Sequence, residues 1–442
     1  MFTKDTFCIL PWSSIQINPS GDFKICCFSG EEVRNHGMAA DDGDNVMNVL
    51  THSIKDALNS KNHKALRLAQ SRGERHPLCK VCWDRDDANK MGQNGETNSL
   101  RNARSFYQLK DMDNAITFDK VQNYLTDDGS IDEIPISLDL RFTNVCNMKC
   151  IMCGPIYSNQ WYEDYTKLTG RTEFNVDQKV YNIVQENGVY GADMPPWHDS
   201  PIWWDKFDEI KHRIRHIYIT GGEPFIIKGH DVLLDKLIEC GAAKDVTMEY
   251  DTNLSVMNKK LLDRLAKFKK SILSVSCDDV GERYELIRFP GKFNRLVDNL
   301  KQLQERGFEI RNVSTCVGIY SLYSPIHVHE YFRDAVASGE LTLKGVETTS
   351  VRFLRFPTHT NIAYLPKELK YKMMEVYRDS SLPEYWKRYL IGYLGNNVGL
   401  SEEKCVRITK EHIKYLDDLD KIRGTNWKKT LPEIAELLKY YL

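Results

Sequence analysis

A group of three cysteines near the middle of the chain places the strongest constraint on its fold. Cys146, Cys150 and Cys153 follow a strand-like run with the spacing C-x3-C-x2-C. Thiolates this close together are typical ligands of an iron–sulfur cluster, and three of them leave one iron of a [4Fe–4S] cube open. An open iron can bind a ligand or substrate. The spacing therefore predicts a cluster that takes part in chemistry.

Two further motifs follow the cysteines, each at or after the end of its own strand-like run. Residues 221–224 read Gly-Gly-Glu-Pro, and residues 272–278 read Ile-Leu-Ser-Val-Ser-Cys-Asp. Together with the cysteines, these motifs resemble the radical S-adenosylmethionine (SAM) superfamily. The resemblance covers roughly residues 135–345 and depends on the order of the motifs as well as on their residues.

This resemblance implies an α/β fold, a partial (β/α)6 barrel, in which the three cysteines hold a [4Fe–4S] cluster that binds SAM. In that family the Gly-Gly-Glu-Pro motif receives the amino group of the SAM methionine. Ser276 and Arg288 would lie near the ribose and the carboxylate, and Met152, where an aromatic residue is common, would cover the adenine. The cofactor-binding residues implied in this way are Met152, Gly221, Gly222, Glu223, Pro224, Asn253, Ser276 and Arg288.

A second group of cysteines lies in the first hundred residues. Cys8 and Cys26 flank a stretch that reads as a β-hairpin with a Pro-Ser-Gly-Asp turn, and Cys79 and Cys82 follow as C-x2-C. Because a hairpin returns the chain, these cysteines can meet at one metal centre. Four cysteines of this kind suit either a tetrahedral zinc ion or an iron–sulfur cluster.

The same segment resembles the twitch and SPASM modules found beside many radical SAM cores, although in well-known members the module follows the barrel. The resemblance implies an auxiliary [4Fe–4S] cluster with Cys8, Cys26, Cys79 and Cys82 as its ligands. Cys27 is then a spare thiol or an alternative to Cys26. A structural zinc ion remains the alternative for this site.

Composition excludes several other classes of protein. Twelve cysteines in a chain without an apolar N-terminal signal argue for metal ligation or redox chemistry and against a disulfide framework. No run approaches the ~20 apolar residues of a membrane span. A net charge of −2 does not indicate a nucleic-acid-binding surface. We therefore expect a cytoplasmic protein that binds neither membranes nor nucleic acid.

Four parts are predicted along the chain. They are a twitch/SPASM-like cysteine module at 1–100, a helical linker at 101–134, the barrel at 135–357 and a helical C-terminal cap at 358–442. The cap is either a solvated helical cover or a docking site for a carrier or peptide. Alternation of apolar runs with amphipathic stretches predicts parallel strands. These strands are expected near 136–142, 215–220, 246–251, 272–277, 311–317 and 349–356.

Two loops are also predicted. One lies at 92–98, before a helix at 100–126. The other lies within the long stretch at 154–210, which contains four tryptophans. This stretch predicts an extra helix and a lid-like loop, or alternatively an aromatic loop that packs on the surface of the helix layer.

Side chains alternate between the two faces of a strand, so every second residue points the same way. We expect the polar residues of each strand to share the face that lines the barrel lumen, called here the lumen parity, and the apolar residues to share the opposite face, called the core parity. Glu249 and Asp251 are the candidate proton acceptors, with ion pairing to Arg141 as the alternative. Cys316 has the lumen parity and is a candidate hydrogen-atom donor, whereas Cys277 has the core parity. A polar lining of this kind predicts a polar substrate.

The sequence therefore predicts an oxidoreductase of the radical SAM type. By the resemblance, it would reductively cleave SAM to a 5′-deoxyadenosyl radical and abstract hydrogen from a peptide side chain or a small polar metabolite. An external one-electron donor such as flavodoxin or ferredoxin would supply the electron, and the auxiliary cluster would accept the electron left after abstraction.

Two alternatives stay open. In the first, the enzyme is a redox-neutral epimerase or isomerase with a structural zinc module, and Cys316 returns a hydrogen atom. In the second, the chain is a non-catalytic metal-binding protein. That reading predicts loss of part of the cysteine triplet or of the Gly-Gly-Glu-Pro motif, and both are intact.

Overall fold

The computed structural model contains one large sheet surrounded by helices. It describes residues 6–30, 37–83, 86, 118–132, 136–176, 179–187, 189–192, 194, 196–343, 349–395 and 399–442. The strands are β1 (Ser14–Ile17), β2 (Phe23–Lys24), β3 (Ile136–Leu140), β4 (Glu173–Val176), β5 (Lys179–Glu186), β6 (Val189–Ala192), β7 (Ile214–Ile219), β8 (Thr247–Thr252), β9 (Lys270–Ser276), β10 (Glu309–Val317) and β11 (Thr349–Phe353). The helices are α1 (Leu10–Ser13), α2 (Ile54–Leu58), α3 (Lys61–Ser71), α4 (Phe118–Val121), α5 (Trp161–Thr169), α6 (Pro201–Ile210), α7 (Gly229–Glu239), α8 (Lys259–Leu265), α9 (Gly281–Ile287), α10 (Phe293–Glu305), α11 (Ser324–Ala337), α12 (Lys367–Asp379), α13 (Glu384–Gly395), α14 (Glu402–Arg423), α15 (Trp427–Thr430) and α16 (Pro432–Leu438).

Six parallel strands form the wall of a partial barrel. They lie in the order β3-β7-β8-β9-β10-β11, which is also their order in the chain. Parallel neighbours need a crossover connection, and at least one helix lies between each successive pair. Leu138, Met248 and Val275 represent the apolar parity, and each is fully buried in the core. The predicted fold class is confirmed, and all six strands lie where the sequence placed them.

The hairpin of the cysteine module continues the barrel sheet. Strand β1 pairs in parallel with β3, with Ser14 opposite Ser137 and Ile17 opposite Leu140. Strand β2 then pairs antiparallel with β1 at the edge of the sheet. The sequence predicted the hairpin but not this pairing. As a result, the cysteine module and the barrel share one sheet of eight strands.

The long stretch between β3 and β7 forms a helix and a small sheet. The predicted extra helix is α5, and β4, β5 and β6 follow it as an antiparallel three-stranded sheet. This sheet packs Phe174 and Tyr181 against Tyr162 of the helix. A sheet therefore stands where the sequence predicted a lid-like loop, because the inward residues of β4 and β5 alternate and find an apolar face to bury.

Aromatic packing explains the tryptophans of the same stretch. Trp197 is 1% exposed and stacks on Phe142 with ring centroids 5.4 Å apart. Trp203 is fully buried and lies edge-on to Trp197. These rings extend the core of the barrel, whereas the alternative prediction for this stretch placed them on the surface of the helix layer.

The C-terminal helices cover one side of the barrel. Helices α12 to α16 share a hydrophobic cluster that includes Ile151, Trp161 and Val317 of the barrel side. Of the predicted linker, residues 118–124 are helical, while 101–117 and the loop predicted at 92–98 lie outside the described residues. In the part of the chain that the structure describes, no helix has the length and apolar character needed to cross a membrane.

Candidate active site

The loop after β3 carries the three central cysteines and is fixed by neighbouring side chains. The backbone N–H of Cys146 donates to Oδ1 of Asn159 at 3.0 Å. The hydroxyl of Ser158 donates to the carbonyl oxygen of Met148 at 2.6 Å. The indole N–H of Trp161 donates to the carbonyl oxygen of Cys150 at 2.9 Å. The start of α5 and the residues before it therefore hold a loop that has no regular structure of its own.

The three thiols of this loop suit a metal cluster. Burial, and then the neighbouring Cys150 and Glu223, raises the pKa of the Cys146 thiol to about 12. A hydrogen bond between Cys150 and Cys153 lowers the pKa of the first thiol and raises that of the second. Crowded, buried thiols resist deprotonation until a metal centre stabilises the thiolates. The donor set therefore fits an iron–sulfur cluster.

The Gly-Gly-Glu-Pro turn touches the cysteine loop directly. The N–H of Glu223 donates to the carbonyl oxygen of Val145 at 2.9 Å. A Cβ atom on Gly222 would lie only 2.2 Å from that oxygen, and Gly222 has a φ of +58°. A side chain at position 222 would separate the two loops. The second glycine of the motif is therefore required by this close approach.

The carboxylate of Glu223 is buried and accepts three hydrogen bonds. Oε1 accepts from the hydroxyl of Thr252 at 2.6 Å and from the N–H of Phe225 at 3.1 Å, and Oε2 accepts from the N–H of Asn253 at 2.7 Å. Burial raises the pKa of this carboxyl, while these bonds oppose the rise. Each carboxylate oxygen has two acceptor positions. Oε2 therefore retains one for a further donor, such as the ammonium group that the resemblance assigns to it.

Arg288 and Asp278 form a buried ion pair next to the cysteine loop. Nε of Arg288 lies 2.7 Å from Oδ2 of Asp278, and Oδ1 of Asp278 accepts from the N–H of Cys316 at 2.6 Å. Burial alone would lower the pKa of Arg288, but the interactions with Asp278 and then Cys150 outweigh burial and raise this pKa well above its usual value. The guanidinium therefore remains charged beside the second cysteine. The sequence placed Arg288 at the SAM carboxylate but did not identify Asp278 as its partner.

The other predicted cofactor residues surround the same region. Asn253 donates to Oδ1 of Asn147 at 3.0 Å, and its Nδ2 lies 4.0 Å from Sγ of Cys146. Met152 is half-buried against the cluster of the C-terminal helices. Ser276 ends β9 with a half-buried side chain, and Pro224 is buried at the start of a short 3-10 turn.

Ion pairs connect β8 with its neighbour β7 and with β10 in the barrel lumen. Glu249 lies 2.6 Å from Nη1 of Arg311 and 3.2 Å from Nε2 of His216. The sequence offered Arg141 as the alternative partner of Glu249 and Asp251, and this partner is wrong. Arg141 instead pairs with Asp139 at 3.6 Å on its own strand.

Asp251 has partners on both sides. Its Oδ2 accepts from the hydroxyl of Tyr218 at 2.5 Å and lies 3.2 Å from Nη1 of Arg352. Its Oδ1 is buried without a hydrogen-bond partner among the described residues. One carboxylate oxygen of Asp251 therefore has an acceptor position to fill.

The two cysteines of the neighbouring strands differ as their parities predict. Cys277 is fully buried in the hydrophobic core. Cys316 is half-buried and lies opposite Arg352 in the register of β10 and β11. Burial, and then Asp278, raises the pKa of Cys316 to about 12, so the group remains a thiol at neutral pH.

The N-terminal cysteines lie in one region. Cys8 is buried in a cluster against which Cys26 packs, and Cys79 packs against Ile25. Burial, and then Cys27 and Cys82, raises the pKa of Cys26 to about 12. Cys27 also interacts electrostatically with Arg141, which places it on the barrel side of the module.

The spacing of the thiols bears on the choice of metal. Among the described residues, no three His, Cys, Asp or Glu side chains lie close enough together to hold a single metal ion. Thiolates around a [4Fe–4S] cube bind different irons, whereas the ligands of a zinc ion share one centre at about 2.3 Å.

Several residues of the site were not among those predicted from the sequence. Tyr218, His216, Arg311 and Arg352 complete the lumen network, and Thr252 holds Glu223. His216 and Tyr218 share the lumen parity of β7, so strand alternation could have found them. Arg311 lies where the β9–β10 register shifts between Ile310 and Asn312, and such a bulge re-aims a side chain in a way that parity does not predict.

Two family models match the chain. The radical SAM superfamily matches residues 140–322, and SPASM, an iron–sulfur cluster-binding domain, matches residues 8–83. Together these matches cover more than half of the chain and include all seven cysteines assigned above. The cofactors are therefore SAM and [4Fe–4S] clusters, and the predicted auxiliary cluster is favoured over zinc.

Individual relatives are more distant. The chain is 24% identical over 191 residues to a GTP 3′,8-cyclase from Petrotoga mobilis, a match to 42% of this chain and 47% of the cyclase. The match thus spans about half the length of that relative. Among solved structures, the chain is similar to native anSMEcpe with bound AdoMet, at 15% identity and a TM-score of 0.35 over 58% of this chain and 62% of that one. It is also similar to Streptococcus suis SuiB bound to S-adenosylmethionine, at 14% identity and a TM-score of 0.35 over 83% and 70%.

Proposed function

The chain belongs to the radical SAM superfamily, and on that premise we propose that it cleaves SAM reductively and removes a hydrogen atom from a polar substrate held in the barrel lumen. Cys146, Cys150 and Cys153 would hold the core cluster, and Glu223 with Gly221 and Gly222 would hold the amino end of SAM. When bound, cluster and SAM supply a reagent strong enough to attack an unactivated carbon. The protein's own part is to bind, orient and exclude water.

The connection made by Glu223 carries this proposal. Its carboxylate accepts hydrogen bonds from Thr252 and from the backbone of Asn253, which directly follow the lumen residue Asp251. Its backbone N–H binds the residue before Cys146. One residue, through its side chain and its backbone, therefore links the cysteine loop, the SAM-binding turn and the substrate lumen. This continuity supports a reaction in which SAM and the substrate lie next to each other.

The balance of charge in the lumen favours a neutral or zwitterionic substrate. Each of three arginines has a carboxylate partner, in the pairs Arg141–Asp139, Arg311–Glu249 and Arg352–Asp251. A polyanion such as GTP would have to separate these pairs and place its own negative charge beside their carboxylates. The acceptor position on Asp251 suits an amine or hydroxyl of the substrate. Asp251 and Glu249 remain the proposed proton acceptors.

An oxidative outcome is supported by the position of the N-terminal module. Cys8, Cys26, Cys79 and Cys82 would hold the auxiliary cluster, and the β1–β3 pairing fixes this module to the barrel edge. Cys27 interacts with the lumen residue Arg141. A cluster at this edge would be well placed to accept the electron left after hydrogen abstraction. An external one-electron donor such as flavodoxin or ferredoxin would reduce the core cluster.

One observation favours a second candidate, a redox-neutral epimerase or isomerase. Cys316 lies at the lumen beside Arg352, and its raised pKa keeps it in the S–H form. A thiol in that form can return a hydrogen atom to a substrate radical. Cys316 would become a thiyl radical in this step, and one further electron from the external donor, together with a proton, would restore the thiol. No electron would then remain for an auxiliary cluster to accept, and the N-terminal module would have a structural role.

Cleavage of SAM is the first test, and it needs no knowledge of the substrate. The reconstituted protein is reduced with dithionite under anaerobic conditions, and release of methionine and 5′-deoxyadenosine is measured. We expect cleavage by the wild type, none by Cys150→Ala, and SAM binding at least about tenfold weaker for Glu223→Gln, a loss of about 1.4 kcal/mol. Cleavage by Cys150→Ala at the wild-type rate would contradict the proposal.

Metal content then separates the two outcomes. About eight irons per chain, falling to about four in the variant lacking all three central cysteines, would support the oxidative reaction. About four irons with one retained zinc would instead favour the redox-neutral reaction.

A further inference from the structure

The C-terminal helix α14 contacts the cysteine loop at two points. The hydroxyl of Tyr415 donates to the carbonyl oxygen of Ile151 at 2.8 Å, across 264 residues of sequence. Arg423, the last residue of the helix, lies over the ring of Trp161, with its guanidinium carbon 4.8 Å from the ring centroid. Trp161 in turn donates to the carbonyl oxygen of Cys150. Helix α14, which lies more than 250 residues after the cysteine loop, thus helps to hold the backbone between Cys150 and Cys153.

Arg423 is buried together with its acidic partner. Its Nε lies 2.7 Å from Oδ2 of Asp164, and Nζ of Lys149 lies 2.7 Å from Oδ1 of the same carboxylate. The side chains of Arg423 and Asp164 are 2% and 0% exposed. Phe289 also faces the guanidinium, at 5.6 Å. The position and charge of Arg423 are therefore fixed by packing rather than shared with solvent.

These three charged groups leave a surplus of positive charge beside the loop. Two cations, Arg423 and Lys149, face one carboxylate, Asp164. Three thiolates make the cluster site negative, and reduction adds one more negative charge. Nearby positive charge stabilises the reduced state more than the oxidised state, especially where solvent is excluded.

We propose that Arg423 is a positioning residue for the core cluster, which through Asp164 and Trp161 fixes the cysteine loop and through its charge raises the reduction potential of the cluster. This inference goes beyond the proposed reaction. It requires only that the cysteine loop binds a cluster, and it assigns the C-terminal helix a role in cluster chemistry rather than in covering the barrel alone.

The test compares two variants of the same helix. Arg423→Gln removes the buried charge, and Arg407→Gln makes the same chemical change at a side chain that is 68% exposed. Both proteins are reconstituted anaerobically, their iron and sulfide are counted, and the core cluster is titrated by electron paramagnetic resonance. We expect Arg423→Gln to bind iron with a more negative midpoint potential, and Arg407→Gln to match the wild type. Equal potentials in all three proteins would overturn the proposal.

A second variant keeps the proposal testable if circular dichroism shows that Arg423→Gln does not fold. Trp161→Phe keeps an aromatic ring next to Arg423 but removes the indole N–H, and with it the hydrogen bond through which Arg423 acts on the carbonyl oxygen of Cys150. We expect faster loss of iron to a chelator than from the wild type, and an unchanged rate would overturn the positioning role. None of these readouts uses turnover, so failure of the proposed reaction would not alter them.

Discussion

The hydroxyl of Tyr218 donates to Oδ2 of Asp251 at 2.5 Å, across two neighbouring strands of the barrel. Tyr218 is 5% exposed, so the bond is protected from water. A hydrogen bond to a charged group contributes about 1.5–3 kcal/mol. We expect Tyr218→Phe to lower the free energy of unfolding by about 2 kcal/mol in urea titrations of the apoprotein. Tyr440→Phe, at a ring that is 80% exposed, serves as the control and should have no effect. Equal stability of both variants would show that the bond contributes nothing.

Gly222→Ala should separate the SAM-binding turn from the cysteine loop. The new Cβ would clash with the carbonyl oxygen of Val145, and the positive φ adds about 1–2 kcal/mol of strain. We expect a large loss of bound iron together with lowered stability, measured by iron analysis and urea unfolding. Gly170→Ala is the matched control, because Gly170 has a φ of +67° and no atom within 4 Å of the added Cβ. If both variants lose the same amount of iron, the close approach is not what the cluster requires.

Arg67 connects three segments of the N-terminal module through a fully buried guanidinium. It donates to the carbonyl oxygens of Gly129, Pro11 and Leu58 at 2.7–2.9 Å and to Oδ1 of Asn59 at 3.0 Å. Lysine is a point charge and does not reproduce this fork of donors. We expect Arg67→Lys to lose about 3 kcal/mol of unfolding free energy, since buried carbonyls remain without donors.

Chemical denaturation of Arg72→Lys provides the comparison for that prediction. Arg72 is 55% exposed and pairs with Glu74 at the surface, where such pairs contribute about 0–1 kcal/mol. A loss at position 67 no greater than at position 72 would contradict the proposed role of Arg67.

Acid should destabilise the protein through buried neutral histidines. Burial, and then His359, holds the pKa of His412 well below its usual value, and both ring nitrogens of His412 lack hydrogen-bond partners among the described residues. As the pH falls below about 6.5, His412 binds a proton in the unfolded chain but stays neutral in the folded chain, so the free energy of unfolding falls. Each such group contributes up to about 1.4 kcal/mol per pH unit.

His412→Phe should flatten this acid branch and stabilise the protein by about 1 kcal/mol at pH 7, because it removes unsatisfied buried atoms next to the ring of Tyr320. Thermal unfolding between pH 7 and pH 5 measures both effects. His212→Phe, at an exposed position, should keep the wild-type slope. An unchanged slope in His412→Phe would rule out this histidine as a source of acid sensitivity.

Local patterns predicted the barrel well. Three features could be recognised within short segments of the sequence, without knowledge of distant residues. They are the spacing of Cys146, Cys150 and Cys153, the glycines before Glu223 and the alternation of side chains along each strand. The core parity of Cys277 and the lumen parity of Cys316 followed from the same alternation.

Partners that are distant in sequence could not be predicted in this way. Glu249 pairs with Arg311 rather than Arg141 because of a register shift in β10, and no sequence pattern marks that shift. Arg423 reaches Asp164 only because α14 packs across the barrel. The parallel pairing of β1 with β3 likewise depends on how the cysteine module lies against the edge of the barrel sheet. Such choices are made by packing of the whole chain rather than by local preference.

The pairing of β1 with β3 also has a consequence for synthesis of the chain. Ser14 leaves the ribosome more than a hundred residues before its partner Ser137. A β-strand whose partner does not yet exist has a row of unpaired backbone groups and can pair with the wrong edge. One edge of the β1–β2 hairpin therefore remains unpaired until the first barrel strand is made. Slow translation through that interval would keep the edge unpaired for longer and favour aggregation.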